Sequence, residues 1–410
     1  MPDLDRIVRR NTLILATTLA VNSAVVQLVA AVSSLTFVLV TGVKGLLGLG
    51  PAIFLVAAAC TGAVAGRAMD KYGRRPVLIL GFIVGGTGCA VTALGTHTSS
   101  TLAVVLGFML TGSSSATALL VRTAAGDMYP PLRRARGISY VLFGSVFGAM
   151  LGPTVFSPLF AGKHVSADNL TIPWLAAAGI SFVTATIVSF VRPDTKKIAE
   201  LISPGEADAP QSSVPLAEII RRPGVIPAML TAFASFGVMV SVMNLTGYVV
   251  VEVHHHAQHN VFPVIGAHVA GMYALVLVVG VLVDRIGRMS ALVSGLFVMG
   301  ASALGLAWIS SVPSTALLLF GLGIGWNISY VAAAAQMADL TAPSERGRLF
   351  GFNDFAAALF GAALALVGGL TLETLGVGAM AVGAAILVTA PAPWLLRRRR
   401  PPEPEPATSA

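Results

Sequence analysis

Charge is what this chain has least of. Only 11% of its 410 residues are Asp, Glu, Lys or Arg, against about 25% in soluble domains. So little charge cannot cover a globular surface, which excludes a water-soluble enzyme. Cysteine is scarce as well. Cys60 and Cys89 both stand in apolar stretches, without a disulfide framework or zinc-finger spacing. No G-x-x-x-x-G-K-[ST] phosphate loop is present, so nothing points to an ATPase, and no enzymatic activity is expected.

What the chain has is hydrocarbon: 55% of its residues are hydrophobic and the mean hydropathy is +0.83. A membrane helix needs ~20 apolar residues to cross ~30 Å of hydrocarbon. Apolar segments fall at about 12–38, 46–66, 76–95, 101–123, 137–160 and 172–191. A second set falls at about 225–250, 261–283, 289–310, 314–337, 350–372 and 374–396. The first run follows Arg6, Arg9 and Arg10 without a convincing small-residue cleavage site, so it is taken as the first membrane helix rather than a cleavable signal. The expected fold is an all-α membrane protein with twelve transmembrane helices in two pseudo-symmetric six-helix bundles, 1–191 and 225–396. Between them, 192–224 is a polar cytoplasmic linker carrying Pro193, Pro204, Pro210, Pro215 and Pro223. The tail at 397–410 is rich in Pro and Glu and is expected to be disordered.

Orientation follows from Lys and Arg. With the N-terminus in the cytoplasm, every one of the 26 basic residues except Lys44 and Lys163 falls inside, Arg397 to Arg400 included. The net charge of +8 is therefore a record of topology, with some attraction to anionic lipid. A nucleic-acid partner would need a basic patch on a folded domain, and the lipid bilayer is the partner expected instead. Both termini are placed in the cytoplasm of a bacterial cell, the chain being multi-pass in its inner membrane.

The two halves repeat each other. Gly66 to Arg74 and Gly280 to Arg288 both read G-x-x-x-D-[KR]-x-G-R, with Asp70 and Asp284 as the acids. After the fourth segment comes Asp127, with Pro131, Arg134 and Arg136 behind it. After the tenth comes Asp339, with Pro343, Arg346 and Arg348 at the same spacings. Two unrelated motifs agreeing on nearly one offset indicate a duplicated six-helix unit. Such acids and guanidinium groups, with Arg122 near the inner end of the fourth helix, suit a cytoplasmic gate whose ion pairs link the halves and break when that face opens. Charges that only fix topology are the plainer alternative.

On these motifs, over about 12–396, the sequence resembles the major facilitator superfamily of secondary transporters. The resemblance implies two bundles rocking about a central site near the bilayer midplane. Gly148, Gly152 and Pro153 partly match that family's antiporter motif, but its closing glycine pair is absent, with Ser157 and Pro158 following.

Polar groups inside apolar spans are costly and usually face a cavity. Candidates for its lining are Asn22, Gln27, Trp326, Asn327 and Tyr330. Carboxylates deep in the spans are almost missing, Asp354 being the exception near the inner end of the eleventh, so a strongly cationic drug is not the first choice. Met239 and Met243 are four apart on the seventh helix, and His268 and Met272 four apart on the eighth. At 1.5 Å per residue Met243 and His268 lie ~12 and ~10 Å from the outer ends, and Met239 and Met272 ~18 and ~16 Å. Three thioethers and an imidazole at matched depth suit a soft ion such as Cu(I), although packing alone also produces Met pairs. None of the seven His is cytoplasmic on this topology, and His254, His255, His256 and His259 cluster above the Met and His pairs, where they could gather metal.

The M-x-x-x-M and H-x-x-x-M pairs resemble those of the CcoA-type copper importers of the same superfamily. That resemblance implies Met239, Met243, His268 and Met272 as copper ligands, copper as transported substrate with no permanently bound cofactor, and copper-delivery proteins for oxidase assembly as partners. Transporters near that group carry small organic molecules such as riboflavin. The alternative therefore stays open: a proton-coupled transporter or antiporter of a small organic solute or drug, with His268 or Asp354 carrying the proton.

Overall fold

In hydrocarbon a backbone group has no water to bond, so each apolar segment closes its hydrogen bonds within itself as a helix. The computed structural model describes residues 2–130, 133–163, 166–202 and 214–397. Pro131, His164, Pro204, Pro210 and the tail from Arg398, with Arg399 and Arg400, lie outside the described residues, as do the side chains of Pro343 and Arg397.

Among the described residues, ten helices are long and apolar enough to cross a membrane. A bent pair, Gln258–Tyr273 and Val276–Ile286 at 49°, makes an eleventh span. The twelfth is contained in the longest helix, Glu345–Leu396. Gly376 interrupts it with φ 82° and ψ 179°, a conformation open to glycine, and so divides the eleventh span from the twelfth. Serine caps begin two spans: Ser100 Oγ accepts from the Ala103 N–H at 3.4 Å and Ser311 Oγ from the Ser314 N–H at 3.4 Å.

Three spans expected to be continuous are interrupted. The fourth breaks after Leu119, the eighth after Tyr273, and the fifth between Gly148 and Leu151. In the fifth the cause is local. Pro153 has no N–H to offer the Ala149 carbonyl four residues earlier. That carbonyl oxygen lies 2.8 Å from where a Cβ at position 266 would stand, so the eighth span packs there because residue 266 is glycine.

One face carries the linker, the repeated loop motifs and most Lys and Arg; it is called the basic face. At that face the apolar cores of the halves are separate. One contains Val8, Leu15, Met69, Phe82, Met128 and Ile198, the other Ile219, Val225, Met229, Met337 and Leu349. At the opposite face one cluster draws on both halves, joining Leu35, Val38 and Leu47 to Leu245, Tyr248, Leu372 and Met380. Phe156 and Phe160 of the fifth span stack on Phe262 of the eighth, centroids 5.6 and 5.4 Å apart. Ser34 Oγ donates to the Asn244 carbonyl at 3.1 Å, and Ser157 Oγ to the His259 carbonyl at 2.9 Å. The halves are thus sealed together at the opposite face and split at the basic face.

The seal depends on backbone approach. A Cβ at Gly247 would overlap the Ala31 carbonyl, and one at Gly48 would overlap the Ala365 carbonyl. Gly247→Val should therefore hold the opposite face apart. In a background lacking Cys60 and Cys89, a cysteine introduced at the buried Val38 should react with a hydrophilic maleimide at least ~10-fold faster once Gly247→Val is added, the seal being worth more than ~1.4 kcal/mol. Equal labelling rates would remove Gly247 from the seal.

Candidate functional site

The repeated acids and arginines assemble within each half. Arg74 begins the third span after Gly73, whose φ of 96° makes the turn. Its Nε donates to Asp127 Oδ2 at 2.6 Å and its Nη1 reaches Asp70 Oδ1 at 3.2 Å. The second half copies this: Gly287 turns at φ 82°, Arg288 Nε donates to Asp339 Oδ2 at 3.0 Å, and its Nη1 pairs with Asp284. Burial pushes the Asp127 carboxyl above its usual range, while Arg74 and Arg134 pull it back down. Arg346 donates to the Ala338 carbonyl and Arg348 to the Val214 carbonyl, each at 3.0 Å, while Arg136 is exposed. The expectation that these pairs link the halves is corrected for this conformation. Each motif arginine begins a helix between two acids of its own half, and those acids claim it.

An ion pair that crosses the halves joins Arg122 to Asp354, Nη2 to Oδ2 at 2.8 Å. Tyr330 donates to the other carboxylate oxygen at 3.1 Å. Tyr330 stacks on Trp326, centroids 5.1 Å apart and planes at 19°, and Tyr273 meets Trp326 edge-on at 6.3 Å. Trp326 Nε1 is buried with no hydrogen-bond partner. The tenth span therefore presents an aromatic ledge just above a charged floor.

Gln27 ties the first span to the fifth, its Nε2 donating to the Gly148 carbonyl at 2.8 Å, while its Oε1 is buried without a partner. Asn22 is buried. Asn327 donates to the Met272 carbonyl and leaves its Oδ1 unpartnered.

Met239, Met243, Met272 and His268 are all buried, and the three methionines belong to one apolar cluster. His268 Nδ1 is 2.8 Å from the Leu319 carbonyl, and its Nε2 is buried with no partner. The loop histidines point elsewhere. The His256 ring bonds the Ser310 carbonyl at 2.7 Å, His255 turns the chain at φ 56°, and His259 Nδ1 is buried without a partner. Burial and the neighbouring His256 and His255 push the His254 imidazole below its usual value. Among the described residues no three His, Cys, Asp or Glu are grouped to hold a metal ion.

Asp194 escaped the sequence reading. Its Oδ1 accepts from the N–H groups of Arg74 at 3.1 Å and Lys196 at 2.9 Å, and its Oδ2 from Arg75 at 2.8 Å. One carboxylate thus caps two helix N-termini, the third span and Thr195–Ile202. An acid immediately before a helix was the available signal. Nothing in the sequence placed it against the third span. Arg222 with Glu345, a bidentate pair at 2.6 and 2.8 Å, was missed likewise.

Twelve apolar helices in two repeated halves, with a polar and aromatic ledge between them, define a secondary transporter. The chain belongs to the Major Facilitator Superfamily, whose profile matches residues 11–332 and again 263–410. A riboflavin transporter of Brucella anthropi, RfnT, is 30% identical over 70% of this chain and 70% of its own length. An uncharacterised transporter of the same type from Bacillus subtilis, YdeG, is 30% identical over 80% of this chain and 78% of its own. The xylose transporter XylE of E. coli, in a partially occluded inward-open conformation, superimposes with a TM-score of 0.73 at 15% identity, covering 96% of this chain and 98% of that one.

Asp194→Ala should leave three helix N–H groups without their acceptor and cost about 1–2 kcal/mol, the scale of a lost N-cap. Thermal unfolding in detergent should show a lowered midpoint, partly restored in Asp194→Asn. Identical melting of all three proteins would contradict the capping role.

Proposed function

We propose that this protein carries a small organic solute with a flat aromatic ring system, held against the Trp326 ledge. The observation that carries the reading is the stack of Trp326 on Tyr330 with Tyr273 at its edge, beside a buried indole N–H that has no protein partner. Aromatic faces bind flat rings by offset stacking. A buried donor left open by the protein is one a ligand is able to satisfy. The identity to a riboflavin transporter supports the same class. With the basic face in the cytoplasm, as the positive-inside rule requires, the solute site opens inward. Both termini then lie on the cytoplasmic side of a bacterial inner membrane.

Copper is the second reading, and one observation favours it. His268 Nε2 is buried and unpartnered, on the span that also carries Met272, which shares an apolar cluster with Met239 and Met243. Uptake into proteoliposomes separates the two. The first reading expects riboflavin accumulation, reduced roughly 5- to 12-fold by Trp326→Ala, as loss of a stacking contact worth ~1–1.5 kcal/mol implies, and unaffected by omitting metal. Accumulation of Cu(I) without riboflavin, lost in both His268→Ala and Met272→Ala, would replace it with the copper reading.

A further inference from the structure

The loop-motif charges differ from the pair that crosses the halves. Those of the loop motifs are duplicated: Arg74 and Arg288, Asp127 and Asp339 hold equivalent bonds in the two halves. Arg122 and Asp354 are not. At the 212-residue offset of the neighbouring motif, Arg122 would map to Ala334 and Asp354 to Leu142. A pair that the repeat does not copy is not needed to build either bundle. It crosses between the halves on the side where their apolar cores are separate, and Tyr330 joins it to Trp326.

The bond is poised to exchange. Only one guanidinium nitrogen bonds the carboxylate, and the two side chains keep 29% and 34% of their surface exposed. Arginine stays protonated, so in the membrane it always requires an anion. Asp354 satisfies that requirement only while ionised. Protonation at Oδ2 puts a hydrogen where the guanidinium N–H was accepted, and the pair separates. The groups facing Asp354 are few. Arg122 comes from the fourth span, Tyr330 from the tenth, and Tyr273 of the eighth contributes through its interaction with Arg122. The seventh span carries no charge between Val225 and Tyr248. The second span packs along the eleventh, with Leu55 against Gly361. Its first charge toward the basic face is Arg67, whose Nε donates to the Ala63 carbonyl at 3.2 Å.

We propose that Arg122 and Asp354 are an exchange site in which the carboxylate of an anionic aromatic solute replaces Asp354 on Arg122 while Asp354 takes up a proton. This rests on the organic-solute reading above and narrows it to aromatic carboxylates moved with a proton. Charge balance in a low-dielectric site sets the stoichiometry. The resting pair is neutral. A solute anion alone would leave a net negative charge, and a proton alone a net positive one, each costly within the membrane. Anion and proton together restore neutrality. The guanidinium N–H bond to Asp354 breaks, a bond from the same fork to the solute forms, and both passengers leave on the basic face as Asp354 ionises and recovers Arg122. A neutral solute needs no proton and leaves the pair closed.

Riboflavin and its 10-carboxymethyl analogue, a monocarboxylate, test this in proteoliposomes with and without an acid-outside pH gradient, the membrane potential clamped with valinomycin. The carboxylate flavin should enter at least ~10-fold faster with the gradient, and riboflavin at the same rate in both. Asp354→Asn should abolish the gradient response. Arg122→Gln should lower the ratio of carboxylate to riboflavin uptake at least ~10-fold, and Arg122→Lys should keep part of it; monodispersity in detergent confirms that each variant is folded. Uptake of both flavins with no gradient response in the wild-type protein would overturn the exchange site and leave the organic-solute reading standing. Failure of both flavins to enter would overturn both.

Discussion

A polar group without a partner in hydrocarbon costs several kcal/mol, and most of this molecule is arranged around that cost. It makes the spans helical, and it decides where the few charges stand. At the ends of spans, arginines are placed between acids, as Arg74 is between Asp70 and Asp127. Helix N-termini take carboxylates from neighbouring segments, as the third span takes Asp194. Where a proline deprives a carbonyl of its donor, as at Ala149, the orphan faces a glycine of the adjoining span rather than lipid.

Much of this was legible in the sequence. Hydropathy located the twelve spans, because a run of ~20 apolar residues has few alternatives. The duplicated Asp and Arg positions revealed the repeat, because equal spacings survive in equal structures. Helix breaks near Leu119 and Tyr273 were invisible, since apolar residues flank them and no proline marks the spot. Partner choice was invisible too. Asp127 has Arg134 seven residues away in sequence, yet its carboxylate bonds Arg74, 53 residues earlier. The meeting of Arg122 and Asp354, 232 residues apart, could not be read from one chain without knowing how the halves face each other. Trp326 and Tyr330 were expected to line a cavity as polar groups inside an apolar span, and their stacking follows from their i,i+4 spacing.

The halves meet by different physics at the two faces. At the opposite face contact is apolar and depends on shape, with Gly247 against the Ala31 backbone and Phe262 between Phe156 and Phe160. Close-packed surfaces of this kind have two stable arrangements, joined or apart, rather than a continuum. Tyr248 is the titratable side chain in that apolar cluster, and a phenol stays neutral near pH 7. The contact within that cluster is therefore one of shape rather than of charge.

Toward the basic face the bridge is ionic, and its strength depends on what else is present. An apolar seal answers only to the movement of helices, whereas a half-exposed ion pair answers to any anion or proton that reaches it. The ion pair is joined to the aromatic ledge through Tyr330, so on the proposed function a solute held at the ledge would lie next to it. A solute that only fills space would leave the Arg122 and Asp354 bond unchanged and gain no differential affinity between the two states of the floor, and such a ligand shifts no equilibrium. For the floor to open in response to solute, the solute must interact with one member of that pair. Arg122 is the member that cannot give up its charge, and so it is the one that an anionic solute would engage in the exchange proposed above.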